Sequence, residues 1–380
     1  MASAFWESTD MSDKPQLDLD LCRERQNRVR TVLETVQAER AVFSKREHVQ
    51  YLTGFRPHHL MSAAVYLDGD DCLLVAPNEK PARHAASRVA TFEAQWRCTL
   101  RQDQELGIAK VLKESVNPDT SSLAIEGSGG LSIYVQALGV NDLSKTVDVE
   151  AELLNLRRHK DLDEISMIVH AIGGTQAMYA RAKEIIEPGI NELHVFNELQ
   201  AAAVSAIGEP LTGTGNDYQS DSPGGPPRDR DAQDGELFVL DLGPAYQGYF
   251  ADNCRTFAVN GKPTDEQLKA REVIVSVLDI VKANVKPGYS CKELFETAKS
   301  MLDEYEAESF FHHLGHGIGL YPHEGPHLNP AWDDTFREGD VFTAEPGLYT
   351  RELRAGIRIE ENYLVTAEGV EQLTSFPTDL

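Results

Sequence analysis

Three features are scarce or missing in this 380-residue sequence: cysteine, positive charge and long apolar runs. The cysteines are odd in number, widely scattered and never in a paired short spacing, which argues against a disulfide framework and against a thiolate zinc site. We therefore expect reduced thiols at Cys22, Cys72, Cys98, Cys254 and Cys291.

Positive charge is outweighed throughout the chain. Lysine and arginine total 36 against 61 aspartates and glutamates, which gives a formal net charge of −25. Such a surface repels a phosphate backbone unless a local basic patch overrides the field, so nucleic acid is not an expected partner. The acidity fits either a salt-tolerant surface or simply a soluble one, and net charge does not decide the fold.

Apolar residues never run for the roughly 20 positions that a membrane span requires. The segment Met1–Leu17 also lacks a basic stretch followed by an apolar one, so it does not resemble a secretion signal. We expect a cytoplasmic protein with no membrane partner. With 41% apolar and 26% charged residues, the composition is that of an ordinary globular protein.

The pattern of elements predicts two domains after a flexible tail, as expected for a chain longer than one usual core. Residues 1–18 have no apolar periodicity and form the predicted tail. Residues 19–153 alternate between helical and strand-like segments, with a strand pair at 65–67 and 72–76. Residues 154–380 interleave helices with hairpins, which predicts an α+β domain with an antiparallel sheet.

Within the second domain, the apolar spacing places most elements. Helices are predicted at residues 156–186, 192–207, 265–285 and 291–305, the third preceded by the capping-box pair Thr264 and Gln267. Strand-like runs occupy residues 237–242, 248–259, 341–345 and 356–366. The stretch 217–234 is rich in glycine, proline, aspartate, arginine and serine, which predicts a loop.

Two aspartates stand eleven residues apart around a turn-like segment, Asp241 after an apolar run and Asp252 beyond residues 243–248. A turn centred in that segment would set them opposite one another, with Cβ atoms about 4.5–5.5 Å apart. Like charges at that distance need a compensating cation or a shared proton, and a metal pair roughly 3.5–4 Å apart would suit. The alternative is that both aspartates cap the ends of a hairpin.

Histidines are clustered further along the chain. Four of the twelve histidines lie within twelve positions: His312, His313, His316 and His323. His316 stands among glycines, where the backbone can approach a ligand closely. Neutral imidazole is a common metal ligand, and a second imidazole can exchange protons with a reacting group. A lone histidine is more often a core or surface residue, so it is the cluster that favours a site.

Two glutamates complete the candidate set. Glu345 closes a strand-like run before Pro346-Gly347, so its side chain could point into a cleft. Glu360 is two residues from Arg358, hence on one strand face, where the alternative is a simple ion pair. Four strand-borne carboxylates and one histidine form a hard N/O set suited to two divalent ions such as manganese, iron, cobalt or zinc. Such ions make a hydroxide available as a nucleophile near neutral pH.

These residues also resemble the pita-bread metallopeptidases, a family that includes methionine aminopeptidase, Xaa-Pro aminopeptidase, prolidase and the metal-free creatinase. The resemblance rests on VLDLG at 239–243, DNCRT at 252–256, GHGIGL at 315–320 with His323-Glu324, EPGLY at 345–349, GIRIEE at 356–361, and YLTGF at 51–55. The last motif resembles the creatinase/prolidase N-terminal domain. The likeness implies a creatinase-like α/β domain over residues 19–153 and a pita-bread catalytic domain with a curved antiparallel sheet over residues 154–380.

The resemblance also implies a ligand set. Asp241 would chelate one metal, and Asp252 and Glu360 would bridge both. His316 and Glu345 would complete the second metal site, and Glu345 would also handle the proton of the bridging hydroxide.

Three further residues match positions around the metals. By the resemblance, His323 would steady the tetrahedral intermediate or the scissile amide, while Arg358 and His312 would orient ligand or substrate. An imidazole that donates toward a developing oxyanion lowers the barrier, by roughly 3 kcal/mol for a typical donor.

One position departs from the family pattern. Members generally have a Pro-His step ahead of the first metal aspartate, and at the corresponding place, 17 residues before Asp241, this chain has Gly224 after Pro223. The missing imidazole would touch the substrate near its leaving side, so its absence puts Xaa-Pro specificity or rate in question. The candidates to replace it are Asp217, Tyr218 and Asp221.

The predicted function is a dinuclear metallopeptidase that hydrolyses the Xaa-Pro bond of dipeptides or short peptides through a metal-bridging hydroxide. The resemblance implies two divalent ions, manganese first with cobalt, iron or zinc as alternatives, and a homodimer. The alternative, favoured by the missing histidine and the acidity, is a metal-dependent hydrolase or lyase of the same fold acting on a small metabolite such as a compatible solute. A non-catalytic binding module fits less well, because all five ligand types are present.

Overall fold

The computed structural model describes residues 14–119, 121–128 and 132–380. The chain divides into two compact units, one formed by Gln16–Arg157 and the other by Arg158–Leu380 with the described residues that precede Gln16. In the described parts of both units, no helix has both the length and the apolar character that a membrane span requires.

Most of the predicted tail lies outside the described residues, which begin at Lys14. Asp18 ends the predicted tail, and its carboxylate accepts a hydrogen bond of 2.7 Å from the backbone N–H of Asp20. That contact caps the first helix, since a side-chain acceptor satisfies one of the free N–H groups at a helix N-terminus.

The first unit combines helices with a mixed six-stranded sheet. Its helices are α1 Leu19–Thr35, α2 Arg46–Thr53, α3 Gln104–Ser115, α4 Ser132–Ala137 and the short 3-10 helix Leu143–Lys145, and α5 Glu150–Arg158 ends at its boundary. Its strands are β1 Arg40–Phe43, β2 Ala64–Asp68, β3 Asp71–Pro77, β4 Arg88–Phe92, β5 Gln95–Trp96, β6 Thr99–Leu100, β7 Leu123–Ile125 and β8 Thr146–Asp148.

The strand order in the large sheet is β4-β3-β2-β1-β7-β8. β3 and β4, β1 and β7, and β7 and β8 pair in parallel. The connections from β1 to β7 and from β7 to β8 contain helices, whereas residues 78–87 join β3 to β4 without one. β2 and β3 form a hairpin in which Asp68 is opposite Asp71. The predicted strand pair and the α/β character of this part of the chain are both confirmed.

The second unit builds on antiparallel sheets. Its helices are α6 Leu162–Ile185, α7 Glu192–Ile207, α8 Asp265–Asn284 and α9 Cys291–Tyr305. Its strands are β9 Asp217–Ser220, β10 Leu237–Asp241, β11 Ala245–Tyr246, β12 Tyr249–Phe250, β13 Cys254–Ala258, β14 Gly315–Gly317, β15 Glu324–Leu328, β16 Val341–Ala344, β17 Gly347–Leu348, β18 Ile357–Arg358, β19 Glu361–Val365 and β20 Val370–Gln372. The main sheets run β15-β14-β16-β19-β20 and β13-β10-β9, which confirms the predicted α+β class.

Two apolar layers hold these sheets. One joins α6 and α7 to β10 through side chains such as Met178, Leu199 and Phe238, and the other joins α8 and α9 to the five-stranded sheet. Each large apolar side chain buried this way contributes about 1.5–3 kcal/mol. Side chains alternate along a strand, so Asp241 shares the face of Leu237 and points away from the α6–α7 layer that covers Phe238.

The predicted helix 156–186 is wrong at residues 159–161, where the structure has two helices, α5 and α6. Glu164 accepts from the backbone N–H of Asp161 at 3.1 Å, which is half of a capping box and starts a new helix. The backbone N–H of Lys160 donates outside the helix, to the carbonyl of Gly339. Apolar spacing continues across residues 159–161 and does not reveal the break, whereas the capping contact between Glu164 and Asp161 marks where the new helix begins.

The strand predictions near the candidate site also need correction. Residues 217–220 of the predicted loop form β9, an edge strand whose polar side chains hide the alternation that marks a strand. The predicted pairing of Asp241 with Asp252 is wrong, because the small β11–β12 hairpin intervenes and Asp241 is opposite Cys254. The predicted strand 356–366 is interrupted at Glu360. Arg358 ends β18 and Glu360 lies in the break before β19, so the two residues do not share one strand face.

A candidate metal centre

Each predicted carboxylate ligand stands where a strand ends or is interrupted. Asp241 is the last residue of β10, Asp252 lies between β12 and β13, Glu345 follows β16, and Glu360 lies between β18 and β19. His316 is the middle residue of the short β14. The side chain of Asp241 is 14% exposed and the others are less so, which means that five polar groups share one largely buried place.

The five side chains come together as two overlapping groups. One oxygen each of Asp241, Asp252 and Glu360 lies within 4.8 Å of the others, and so do ligand atoms of His316, Glu345 and Glu360. Because Glu360 belongs to both groups, the geometry offers two adjacent positions for cations with one shared ligand. This is the arrangement that a dinuclear centre requires.

The electrostatics of the cluster fit a cation. Burial raises the pKa of Asp252 and of Glu360 well above the usual range, and neighbouring carboxylates raise it further. Burial also raises the pKa of Asp241 to about 6, although Arg358 opposes this. Oδ1 of Asp241 and Oε2 of Glu360 are buried and have no hydrogen-bond partner among the described residues. Divalent ions would supply both the charge and the partners that these oxygens lack.

His316 is oriented as a neutral ligand. Its Nδ1 lies 3.1 Å from the carbonyl oxygen of Gly317, which can only accept, so Nδ1 carries the proton and Nε2 is free to bind a metal. Burial lowers the pKa of His316 to about 4, which keeps the ring neutral. Nε2 lies 3.6 Å from oxygens of both Asp252 and Glu345. The ring also stacks on His323, with centroids 3.7 Å apart.

Glu345 has a second histidine partner that the sequence did not single out. Nε2 of His313 donates to Oε1 of Glu345 at 2.8 Å. Burial acts to lower the pKa of His313, but the hydrogen bond to Glu345 and the charge of that carboxylate together raise it above the ordinary value. At Glu345 burial acts to raise the pKa, but this hydrogen bond together with the charges of His313, His316 and His312 holds the pKa of that carboxyl well below its usual range. The clustering of histidines was the one sequence signal for His313.

Arg358 stands at the centre of a network that reaches His312. Its Nη2 bonds to Asp217 and lies 2.9 Å from Oδ2 of Asp241, and its Nη1 lies 3.1 Å from the hydroxyl of Tyr349. Nδ1 of His312 donates to the carbonyl of His313, so Nε2 accepts from the Tyr349 hydroxyl at 2.8 Å. His312 thus holds Tyr349 and has no nitrogen left for a substrate. Sequence reasoning missed Tyr349 because no local pattern reveals this contact.

A cavity of about 430 Å³ opens beside the cluster. Its wall includes the candidate ligands Asp241, Asp252 and Glu345, the four clustered histidines, Phe311, Tyr349 and Arg358. One side is formed by Asn216, Asp217, Pro223, Gly224 and Gly225. The site therefore gathers every predicted site residue except Glu360 along its lining, with Glu360 behind them. Asp217 lies on this wall, whereas Tyr218 and Asp221 do not line it.

Comparison with known proteins bears on what such a site does. Residues 167–367 match the model of metallopeptidase family M24, and residues 25–159 match the creatinase/prolidase N-terminal domain. An Xaa-Pro dipeptidase from Pyrococcus furiosus is 29% identical, with 94% of this chain and 99% of that one covered. Among solved structures, the prolidase from Pyrococcus horikoshii has a TM-score of 0.78 at 25% identity, covering 94% and 99% of the chains. The Xaa-Pro aminopeptidase from Thermotoga maritima has a TM-score of 0.76 at 25% identity, covering 93% and 98%.

Proposed function

The chain belongs to metallopeptidase family M24 and is a peptidase, as its motifs predicted, and we propose that it hydrolyses the peptide bond that precedes proline with two divalent metal ions. The observation that carries the proposal is the pair of overlapping ligand groups that share Glu360. The choice of an Xaa-Pro bond is supported by the match to the creatinase/prolidase N-terminal domain and by the Pyrococcus relatives, which are Xaa-Pro dipeptidases.

The family implies divalent ions, and the donor set fits them. In the proposal, Asp241, Asp252 and Glu360 hold one ion. His316 and Glu345, with the shared Glu360, hold the other. Bound ions supply a Lewis acid for the scissile carbonyl and a water acidic enough to act as nucleophile.

Glu345 is the proposed proton carrier. Its lowered pKa keeps it a carboxylate at neutral pH, so an oxygen of Glu345 can accept the proton of the attacking water and deliver it to the proline nitrogen as that nitrogen leaves. His313, 2.8 Å away, stabilises the charged form through its N–H. Without His313, the carboxylate would lose the group that most lowers its pKa.

His323 is the proposed donor to the developing oxyanion. It lies on the open side of the cluster, with a ring nitrogen within 4.8 Å of ligand atoms of Asp252 and His316. Stacking on His316 limits the orientations of its ring. An imidazole N–H held there would stabilise the tetrahedral charge, and loss of one such donor typically costs about 10²–10³ in rate.

Arg358 and His312 are proposed to position rather than to react. Arg358 fixes Oδ2 of Asp241, which leaves Oδ1 directed to the metal position. His312 fixes the Tyr349 hydroxyl, which in turn accepts from Arg358. The predicted manganese, homodimer and cytoplasmic location stay predictions.

The test begins with protein stripped of metal by a chelator and refilled with manganese or cobalt. We expect two ions bound per chain and hydrolysis of Ala-Pro peptides, with matched Ala-Ala peptides cleaved at least about tenfold more slowly, a difference of about 1.4 kcal/mol. Absence of product from every Xaa-Pro peptide in a panel, with two ions bound, would refute the substrate assignment. Binding of a single ion per chain would refute the dinuclear assignment independently of any substrate.

A further inference from the structure

One wall of the cavity, formed by Asn216, Asp217, Pro223, Gly224 and Gly225, is arranged around Asp217. Gly224, which stands where the family has histidine, has a φ of +154°, and a Cβ added there would lie 2.3 Å from Oδ2 of Asp217. Real side chains do not approach that closely, so no side chain can stand at position 224 while Asp217 keeps its position. The missing imidazole and the carboxylate of Asp217 are therefore one structural feature.

Asp217 is held rigidly in this wall. Its Oδ1 accepts a hydrogen bond of 2.7 Å from the backbone N–H of Gly225, and its Oδ2 pairs with Arg358. β9 pairs with β10 so that Asp217 is opposite Asp241. The side chain of Asp217 is 16% exposed and that of Arg358 is 8% exposed, so solvent screens their pairing only weakly.

Arg358 is the one arginine or lysine among the described residues that line the cavity. Its terminal nitrogens are already committed: Nη2 to Asp217 and Asp241, and Nη1 to the Tyr349 hydroxyl and the carbonyl of Pro223. Its Nε is buried. The guanidinium therefore has no accessible N–H to offer an anionic group of a substrate.

Two divalent ions would offset the four ligand carboxylates, and Asp217 offsets Arg358. A bridging hydroxide would then leave the site with one net negative charge, so no positive charge remains beside the scissile bond for a second anion. In an Xaa-Pro dipeptide the free carboxylate is bonded to the proline Cα, two bonds from the scissile nitrogen, so it must enter this same cavity. A buried charge without a partner is costly.

We propose that Asp217 is a specificity residue that cancels the charge of Arg358, so that the cavity rejects a free carboxylate on the proline and accepts a peptide that continues beyond proline or ends as an amide. The inference rests on the proposed function and names its substrate class. It predicts a preference that differs from that of a dipeptidase.

The test compares two substrates that differ only in terminal charge, Ala-Pro and Ala-prolinamide, on metal-loaded enzyme. We expect kcat/KM to be at least about tenfold higher for the amide, which corresponds to about 1.4 kcal/mol. Asp217→Asn should raise kcat/KM for Ala-Pro about tenfold relative to the amide, mainly by lowering KM, because the change acts on binding rather than on the reacting bond. Asp221→Asn removes the same charge from the same segment away from the cavity and should leave the ratio unchanged.

A second measurement does not depend on any variant. Prolinamide should inhibit the wild-type enzyme at least about tenfold more strongly than proline. A wild-type preference for Ala-Pro, inhibition by proline that equals that by prolinamide, or a ratio unmoved by Asp217→Asn would overturn the inference while leaving the peptidase assignment intact. A loaded enzyme that cleaves neither compound nor any longer Xaa-Pro peptide would instead overturn the proposed function, and the inference with it.

Discussion

Glu126 in the first unit is a buried carboxylate with hydrogen-bond partners, whereas the candidate site in the second unit contains buried carboxylate oxygens that have none among the described residues. Oε1 of Glu126 accepts from the backbone N–H groups of Ser44 and Lys45, both at 2.6 Å, and from the Ser44 hydroxyl at 2.9 Å. Its Oε2 lies 2.6 Å from Nδ1 of His48. Neither side chain is exposed to solvent, so this charge is satisfied entirely by its own unit.

The second unit gathers carboxylates that repel one another. Asp241 and Glu360 each have a buried oxygen with no hydrogen-bond partner among the described residues, and Asp252 lies beside both. Burying a charge costs several kcal/mol unless a partner offsets it. The comparison shows that the buried carboxylate of Glu126 has its partners within the first unit, whereas the carboxylates of the candidate site repel one another unless a cation or a shared proton compensates them.

The largest expected effect comes from Glu360→Gln. Loss of the shared ligand should lower bound metal below two ions per chain and reduce kcat by about 10³-fold or more, at least as much as loss of an oxyanion donor. Metal-free protein should nevertheless unfold at the same or a higher temperature, because one of the repelling charges is gone. Metal analysis, kinetics and thermal unfolding with and without chelator measure these three results.

The next residue in the chain offers a matched control for the expected change in the metal-free unfolding temperature. Glu361 is buried but paired with Arg255, and it also accepts from Thr374. Glu361→Gln should therefore destabilise the metal-free protein. If Glu360→Gln lowered the metal-free unfolding temperature as much as Glu361→Gln does, the carboxylates of the site would not repel one another as we infer.

Glu126→Ala should produce the largest loss of stability among the changes outside the site. The substitution leaves the N–H groups of Ser44 and Lys45 without their acceptor and removes the partner of His48, for a cost of about 3 kcal/mol in the free energy of unfolding. Urea unfolding measures the loss, and metal analysis should still find two ions per folded chain. A change below about 0.5 kcal/mol, the range of ordinary surface substitutions, would contradict this account.

Glu164 tests whether the contribution of a buried carboxylate to stability depends on its hydrogen-bond partners or on the unit in which it lies. It lies in the second unit and is buried, yet its oxygens accept from the Asp161 backbone at 3.1 Å and from the Tyr249 hydroxyl at 2.9 Å. Glu164→Gln turns an amide nitrogen toward one of these donors and should cost about 1–2 kcal/mol. Glu187→Gln, an exposed change just beyond the same helix, should stay within about 0.5 kcal/mol in the same unfolding assay. Equal effects for the two variants would show that Glu164 gains nothing from its partners.

How far the sequence predicts this molecule depends on how local each feature is. Helices α7 and α9 have the predicted bounds, and α8 ends one residue early, because caps such as Thr264 and Gln267 lie beside the helices they start. The break before Leu162 and the edge strand at 217–220 were missed because polar contacts, not apolar spacing, define them. A one-dimensional pattern also cannot show that the β11–β12 hairpin shifts Asp241 opposite Cys254.

The same distinction applies to the site. The five candidate ligands stand in short motifs, so their types and order could be read from the chain, and the fold brings them together. His313, Tyr349 and Asp217 act through contacts with residues 9 to 141 positions away, such as the pairing of Asp217 with Arg358. Only the tertiary structure supplies those contacts.

The smallest expected effect concerns Glu150, a paired carboxylate of the first unit that is only partly buried. Glu150 pairs with Lys45 and accepts from the backbone N–H and the hydroxyl of Ser128 at 2.8 and 2.7 Å. Burial acts to raise its pKa, but the hydrogen bonds from Lys45 and Ser128 outweigh burial and lower the pKa from 4.5 to about 2. A carboxyl whose folded pKa is depressed adds stability above its unfolded pKa and loses it as the pH falls toward the folded value.

Glu150→Gln should therefore cost about 1 kcal/mol or less near neutral pH, because the lysine of the pair is 34% exposed and solvent screens it. The difference from wild type should shrink as the pH falls from 4.5 toward about 2, the window set by the two pKa values. Urea unfolding of both proteins across that range measures it. A gap that stays constant with pH would mean that Glu150 contributes through packing rather than charge, and the contrast between paired and unpaired carboxylates would then rest on Glu126, Glu164 and Glu361.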